Sequence, residues 1–265
     1  MDKDLFIKPK DLSVKLSTQN NLKILDATFY LPDSDLIAKD EYDKKHIPNA
    51  VFFDINNIAD PNNSLPHMIP SKELFSEQMR DLGLNDRDEI IIYDNSPFLS
   101  SARAWFLFRY FGYDNVNILP GGLNNWIKYN GEVTNKTTSI LKGNFTAKTE
   151  KKELVVTLDQ MITASKDEKS IILDARSYKR FTGKAKEPRP GLPSGHIPSS
   201  KSFPSSDFVN SQGFLKSLDE INVIFSNQEI SIKDDIIATC GSGVSACVIS
   251  LALFCPTIFA KYAEP

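Results

Sequence analysis

Residues 236–246 read Ile-Ile-Ala-Thr-Cys-Gly-Ser-Gly-Val-Ser-Ala: a short apolar run, a thiol at Cys240, a bend with glycines at 241 and 243, and the beginning of a helical pattern. The run has the length and composition of a buried strand. Gly241 and Gly243 let successive backbone N–H groups curl toward the sulfur, and the helix beyond adds its positive end to the same spot. Both effects favour thiolate over thiol, so the stretch predicts a nucleophile on a strand-to-helix turn. Cys247 and Cys255 fall within and just after the apolar pattern Val244, Cys247, Val248, Leu251, where packing explains them. A phosphate-gripping arginine after a five-residue spacer is absent, because position 246 is alanine. With hydroxyls and N–H groups alone, the loop suits a small, weakly charged or sulfur-bearing group.

Working outward, the strand has an echo. Asp88-Glu89-Ile90-Ile91 returns 146 positions later as Asp234-Asp235-Ile236-Ile237, Ile24-Leu25-Asp26-Ala27 returns 148 later as Ile172-Leu173-Asp174-Ala175, and His46-Ile47-Pro48 returns 150 later as His196-Ile197-Pro198. Three matches in order at nearly one spacing predict a duplicated unit. Cys240 then corresponds to Asp94, so one copy holds the nucleophile and the other shapes the cleft. Short apolar strands (22–27, 89–93, 116–119) alternate with helical patterns (101–111, from 123), the signature of mostly parallel sheets flanked by helices. The expected organisation is an α/β protein of two tandem units, 1–142 without the nucleophile and 150–265 with it, joined by the polar stretch 129–153. His46 and His196 occur in both copies and are expected to pin loops through ring hydrogen bonds rather than to act as bases.

Composition narrows the partners. With 265 residues, 41% of them hydrophobic, and a formal net charge of -3, the chain reads as a soluble globular protein without the basic footprint of nucleic-acid binding. The first ten residues lack a signal-peptide core, and no stretch is long enough to span a bilayer, which predicts a cytoplasmic protein away from membranes. Three unevenly spaced cysteines and three histidines favour neither a disulfide framework nor a zinc site.

Taken together, these segments resemble the two-domain sulfurtransferases, the rhodanese and 3-mercaptopyruvate sulfurtransferase group. In the first half the resemblance rests on 46–54 (HIPNAVFFD), 67–70 (HMIP), the helix 101–112 with Arg103, and Gly121-Gly122-Leu123 with Trp126. In the second it rests on 174–176, 180–183, 187–189, 195–198 and the Cys240 loop. It implies two rhodanese-like domains and sulfur transfer through a persulfide on Cys240, with Ser242 and Ser245 able to donate hydrogen bonds or relay a proton. Thiosulfate-using members typically carry basic residues directly after the cysteine, whereas Cys240-Gly241-Ser242-Gly243-Val244-Ser245 has the form of the mercaptopyruvate branch. A donor with a remote carboxylate needs its cations a few ångströms from the sulfur. Charge alone would make 176–189 a solvated basic loop, but the resemblance singles out Arg180 and Arg189 as the carboxylate clamp, and His67 as a further residue near the cleft.

The implied reaction takes sulfur from 3-mercaptopyruvate, releases pyruvate and hands the sulfur to cyanide or a thiol such as that of a thioredoxin-like protein, without a metal or organic cofactor. A thiosulfate-preferring enzyme and a weakly catalytic persulfide carrier are the alternatives. Two features depart from the pattern. Asn56 stands where related enzymes commonly carry a second acid after Phe-Phe-Asp-Ile. The first half's strand, glycine turn and helix at 116–126 should recur near 262, just beyond Pro256, which interrupts the helical pattern. The expectation is a less stable second unit with an open sheet edge beside the Cys240 helix, unless 259–262 substitute as a short strand.

Overall fold

The computed structural model describes residues 5–189 and 191–262. The first half runs α1 (Pro9–Thr18), β1 (Leu22–Asp26), α2 (Ala38–Lys44), β2 (Ala50–Phe52), α3 (Lys72–Asp81), β3 (Glu89–Tyr93), α4 (Ser101–Tyr110), β4 (Val116–Ile118) and α5 (Gly122–Lys128). The second runs α6 (Leu158–Asp167), β5 (Ile171–Asp174), α7 (Tyr178–Phe181), β6 (Lys201–Ser202), α8 (Leu218–Ser226), β7 (Ile236–Thr239) and α9 (Ala246–Tyr262). The strands form two parallel sheets, ordered β2-β1-β3-β4 and β6-β5-β7. Glu89 to Tyr93 is buried at every position: Ile90 to Tyr93 form the apolar run that a central parallel strand covered on both faces needs, and Glu89 at its start is paired with Lys15.

Register ties the two sheets together. Ile24 pairs with Ile91 and Leu25 with Val51, while Ile172 pairs with Ile237 and Leu173 with Lys201, so the two pairings of β1 recur in β5 at the offsets of the sequence echoes. The bonds that close the strand ends recur as well: Ala27 N–H donates to Tyr93 O and Ala175 N–H to Thr239 O, both at 2.8 Å. The helices that follow the two central strands, α4 and α9, pack against each other, and Trp105 lies 5.1 Å from the Phe254 ring. One apolar cluster thus continues from Ile90 and Phe108 of the first half to Leu173 and Val248 of the second.

The histidines behave as loop pins. His46 stacks on Tyr42 at 4.2 Å and its Nδ1 meets Tyr42 O at 2.7 Å; His196 stacks on Phe181 at 3.9 Å and its Nδ1 meets Phe181 O at 2.8 Å. The polar stretch after Tyr129 is largely irregular, as its composition suggests, but it is not a loose connector. Thr134 and His46 exchange backbone bonds, Gly143 N–H donates to Arg80 O, and Phe145 is fully buried among Phe75, Phe108 and Tyr113. A buried phenylalanine contributes roughly 1.5–3 kcal/mol, enough to hold this strap down.

Two expectations about the chain's end need correction. Helix α9 continues through position 256, and 259–262 are helical rather than a strand. Proline removes a single donor and crowds one preceding carbonyl, a local cost that the burial of Val248, Ile249, Leu251 and Ala252 on this helix offsets. Among the described residues, no helix is long and apolar enough to cross a membrane.

Candidate active site

Strand β7 ends at Thr239, α9 begins at Ala246, and the six residues between them form the bend that carries Cys240. Gly243 has φ +76°, a conformation that disfavours a side chain, and it turns its N–H onto Cys240 Sγ at 3.1 Å. From beneath, the Cys247 thiol donates to Gly243 O at 3.0 Å. Burial pushes the Cys247 thiol up to about 11 and the Cys255 thiol up to about 12, so both stay neutral, in keeping with core positions. Cys240 is half-buried and opens onto a cavity of about 1260 Å³. The corresponding loop of the first half shows what such a bend holds. Asp94 accepts from Ser96 N–H at 2.9 Å and from Ser101 N–H, at the start of α4, at 2.7 Å. The first bend thus turns backbone N–H groups onto the Asp94 side chain, as the second turns Gly243 N–H onto Cys240.

His67 comes to the thiol loop from the other half. Its Nδ1 lies 2.9 Å from Ser242 Oγ and its Nε2 lies 3.0 Å from Asn56 Oδ1. Burial, then the nearby Arg189 and Arg103 charges, push the ring down to about 4, so it is neutral at physiological pH. Because Asn56 Oδ1 can only accept, the proton sits on Nε2 and Nδ1 accepts from Ser242. The neutral ring's contribution to stability is fully present above the ordinary histidine value of 6.5 and is lost as pH falls from there through about 4. Arg103, buried in α4, holds this arrangement by donating Nη2 to His67 O at 2.5 Å and Nη1 to Gly243 O at 3.5 Å. An Asn56→Asp variant puts a negative charge against Nε2 and favours the charged ring. The acid limb of its pH–rate profile is therefore expected at higher pH than in the parent, and a profile that does not move would place His67 outside the reacting chain.

The two arginines also reach the loop, but they are not equivalent. Arg180 donates Nη2 to Glu187 Oε2 at 2.5 Å and Nε to Glu187 Oε1 at 3.3 Å. Glu187 receives Arg176 as well, at 2.9 Å, and Arg176 in turn grips Asp174. Burial works against the Glu187 carboxylate, yet its arginine partners hold it below the ordinary range. Arg189 instead gives Nη1 to Gly241 O at 3.3 Å; burial and the neighbouring Arg180 lower its pKa, while Cys240 and Glu187 pull the other way. Both guanidiniums line a small cavity of about 30 Å³ with Cys240, Ser245 and Val244. Gly241 is exposed at the mouth, and a Cβ there would meet Arg180 Nη2 at 2.8 Å.

Cys240, Ser242, Arg189 and His67 therefore line one cavity, and Arg180 and Ser245 line a smaller one that shares Cys240, Ser242 and Arg189 with it. Comparison with known proteins agrees with that geometry. Residues 9–129 match the rhodanese-like domain family. A 3-mercaptopyruvate sulfurtransferase of Escherichia coli is 40% identical over 88% of this chain and 82% of its own. The mitochondrial thiosulfate/3-mercaptopyruvate sulfurtransferase 1 of Arabidopsis thaliana is 38% identical over 88% of this chain and 67% of its own. The chain belongs to the two-domain sulfurtransferase family. Its fold matches the crystal structure of SseA from E. coli, a rhodanese-fold member of the 3-mercaptopyruvate group, with a TM-score of 0.87, 35% identity, and coverage of 97% of this chain and 95% of that one.

Three contributors to this sulfurtransferase cleft escape a reading of residue patterns. Arg103 looks like one more residue of an aromatic-rich helix, and only the packing of α4 on α9 aims it at the loop. Glu187 lies in a basic stretch that hides its role as the anchor of two arginines. Asn56 stands out in the sequence as a departure, but its bond to His67 depends on a fold contact eleven residues away.

Proposed function

We propose that this sulfurtransferase takes sulfur from 3-mercaptopyruvate through a persulfide on Cys240 and passes it to a thiol, such as that of a thioredoxin-like protein, or to cyanide. The Cys240 thiolate attacks the donor's sulfur, the carbon–sulfur bond breaks, and the electron pair leaves with pyruvate as its enolate. The loop N–H of Gly243 stabilises charge at sulfur, and Arg189, with Arg180 beside it, holds the carboxylate. Ser242 takes up the donor thiol's proton while giving its own to His67 Nδ1; the relay then runs back, Ser242 recovering its proton from His67 and passing one proton to the enolate carbon, which completes pyruvate and leaves the persulfide ionised. An acceptor thiolate then removes the outer sulfur and regenerates the Cys240 thiolate. In this reading the first half supplies His67, Asn56 and Arg103 and the second half the nucleophile, in a reducing compartment such as the cytoplasm.

The observation that carries the proposal is the distribution of charge around Cys240. Positions 241–245 hold no cation, whereas two guanidiniums stand just outside them. A doubly charged donor bound at the sulfur would lack counter-charge in the loop; a donor with a carboxylate a few ångströms away would not. Steady-state kinetics with both donors tests this. A higher kcat/KM for pyruvate release from 3-mercaptopyruvate than for thiocyanate formation from thiosulfate is expected. The reverse order would assign thiosulfate as donor, and a persulfide mass on Cys240 without turnover would make the protein a carrier.

A further inference from the structure

Among the described residues, the charged groups on the wall of the small cavity are Arg180, Glu187 and Arg189. Their placement follows from the loop after β5. Helix α7 ends at Phe181, Gly183 turns with φ +73°, and Ala185 N–H donates to Lys179 O at 3.0 Å, so the chain doubles back and lays Glu187 against Arg180. Because a Cβ on Gly241 would meet Arg180 Nη2 at 2.8 Å, this guanidinium fills the position that a side chain next to Cys240 would take. The same Nη2 is bonded to Glu187 Oε2 at 2.5 Å, and the Glu187 side chain is only 4% exposed, so the pair is little screened. Phe29, Phe98 and Leu192 add apolar surface to the wall, which strengthens the effect of any unbalanced charge. Arg180 and Glu187 cancel, and Arg189 leaves this cavity with a single positive charge.

We infer that Glu187 determines which donors the cleft accepts: by occupying the Arg180 fork it limits the counter-charge at Cys240 to what a singly charged donor needs, and so disfavours a doubly charged one. This role rests on the donor chemistry proposed above. With its thiol protonated, 3-mercaptopyruvate carries one negative charge, on a carboxylate that Arg189 takes. Thiosulfate carries two, both close to the sulfur that Cys240 attacks. To hold it, the cavity needs Arg180 as a second counter-charge, and Glu187 already engages that group. Discrimination of this kind works by withholding a partner from the wrong ligand. Glu187 acts through Arg180 and is a positioning residue. Arg103 lines only the larger cavity and is the same in every variant below, so its charge drops out of the comparison.

Labelling of Cys240 by iodoacetate, which is charged, against iodoacetamide, which is neutral and nearly the same size, reads the charge at the sulfur without turnover. Both reagents meet the same preparation, so the ratio of their rates does not depend on how much of the protein is folded. Glu187→Gln is expected to raise the iodoacetate to iodoacetamide ratio by roughly tenfold, the lower end of what a charge-assisted hydrogen bond gives. It should also raise the ratio of kcat/KM for thiosulfate to that for 3-mercaptopyruvate. Arg180→Gln, which leaves Glu187 less balanced, should lower both ratios. Glu187→Asp keeps the charge and should keep the parent's ratios, and the Glu187→Gln, Arg180→Gln double variant should return close to them. Ratios that stay put in the single glutamine variants, that move as far in the aspartate variant, or that remain raised in the double variant would overturn the inference. A labelling ratio that moves as expected in a protein inactive with both donors would support the charge role of Glu187 and overturn the proposed reaction instead.

Discussion

Cys240→Ser is expected to reduce sulfur transfer by roughly four to six orders of magnitude, as loss of an essential nucleophile does elsewhere, while leaving the fold and its melting temperature nearly unchanged. The substitution replaces a sulfur that Gly243 N–H already contacts at 3.1 Å with an oxygen that stays protonated at any working pH. Mass spectrometry after treatment with donor should find the added sulfur on Cys240 alone. Cys247 and Cys255 are buried with thiols held near 11 and 12, so neither offers a thiolate to the donor. Persulfide on either of them, or turnover surviving in the serine variant, would move the nucleophile elsewhere.

The second large effect is expected at Arg189. Its alanine variant loses a charge-assisted hydrogen bond to the donor carboxylate, about 1.5–3 kcal/mol, or a fall of roughly 10- to 150-fold in kcat/KM for 3-mercaptopyruvate. Alkylation of Cys240 by a neutral reagent should change far less, because the thiol loop itself is kept. Arg180→Ala should cost less than Arg189→Ala, since the Arg180 fork is already engaged by Glu187 while Arg189 bonds only a backbone carbonyl among the described residues. Unchanged kinetics in both variants would place the carboxylate elsewhere in the cleft.

Much of the fold could be read from the chain because its information is local and repeated. The run 90–93 is apolar throughout, the turn after 239 is glycine-spaced, and the offsets near 148 anticipate a shared register that the pairings Ile24↔Ile91 and Ile172↔Ile237 display. The nucleophile is legible for the same reason. What could not be read depends on which surfaces meet. Phe145 sits in a stretch whose lysines, threonines and asparagines suggest a free linker, yet one aromatic side chain binds it to the first core. The resemblance singles out Arg180 for a carboxylate clamp, but nothing in its spacing tells that Glu187 curls back to engage it. Pro256 breaks a pattern on paper, while the packing of α9 carries the helix past it.

The carboxylate of Asp94, clamped by Ser96 and Ser101 in the first half, bears on how the two copies can diverge. It works as a tethered inhibitor that never dissociates from its own cradle. A single exchange of aspartate for cysteine there would not build a second thiol loop, because the residues after it, Asn95-Ser96-Pro97-Phe98, lack the glycines that would let the chain close around sulfur. What the first half brings to the thiol loop is therefore contact and not a second nucleophile, made by His67 to Ser242 and by Arg103 to Gly243.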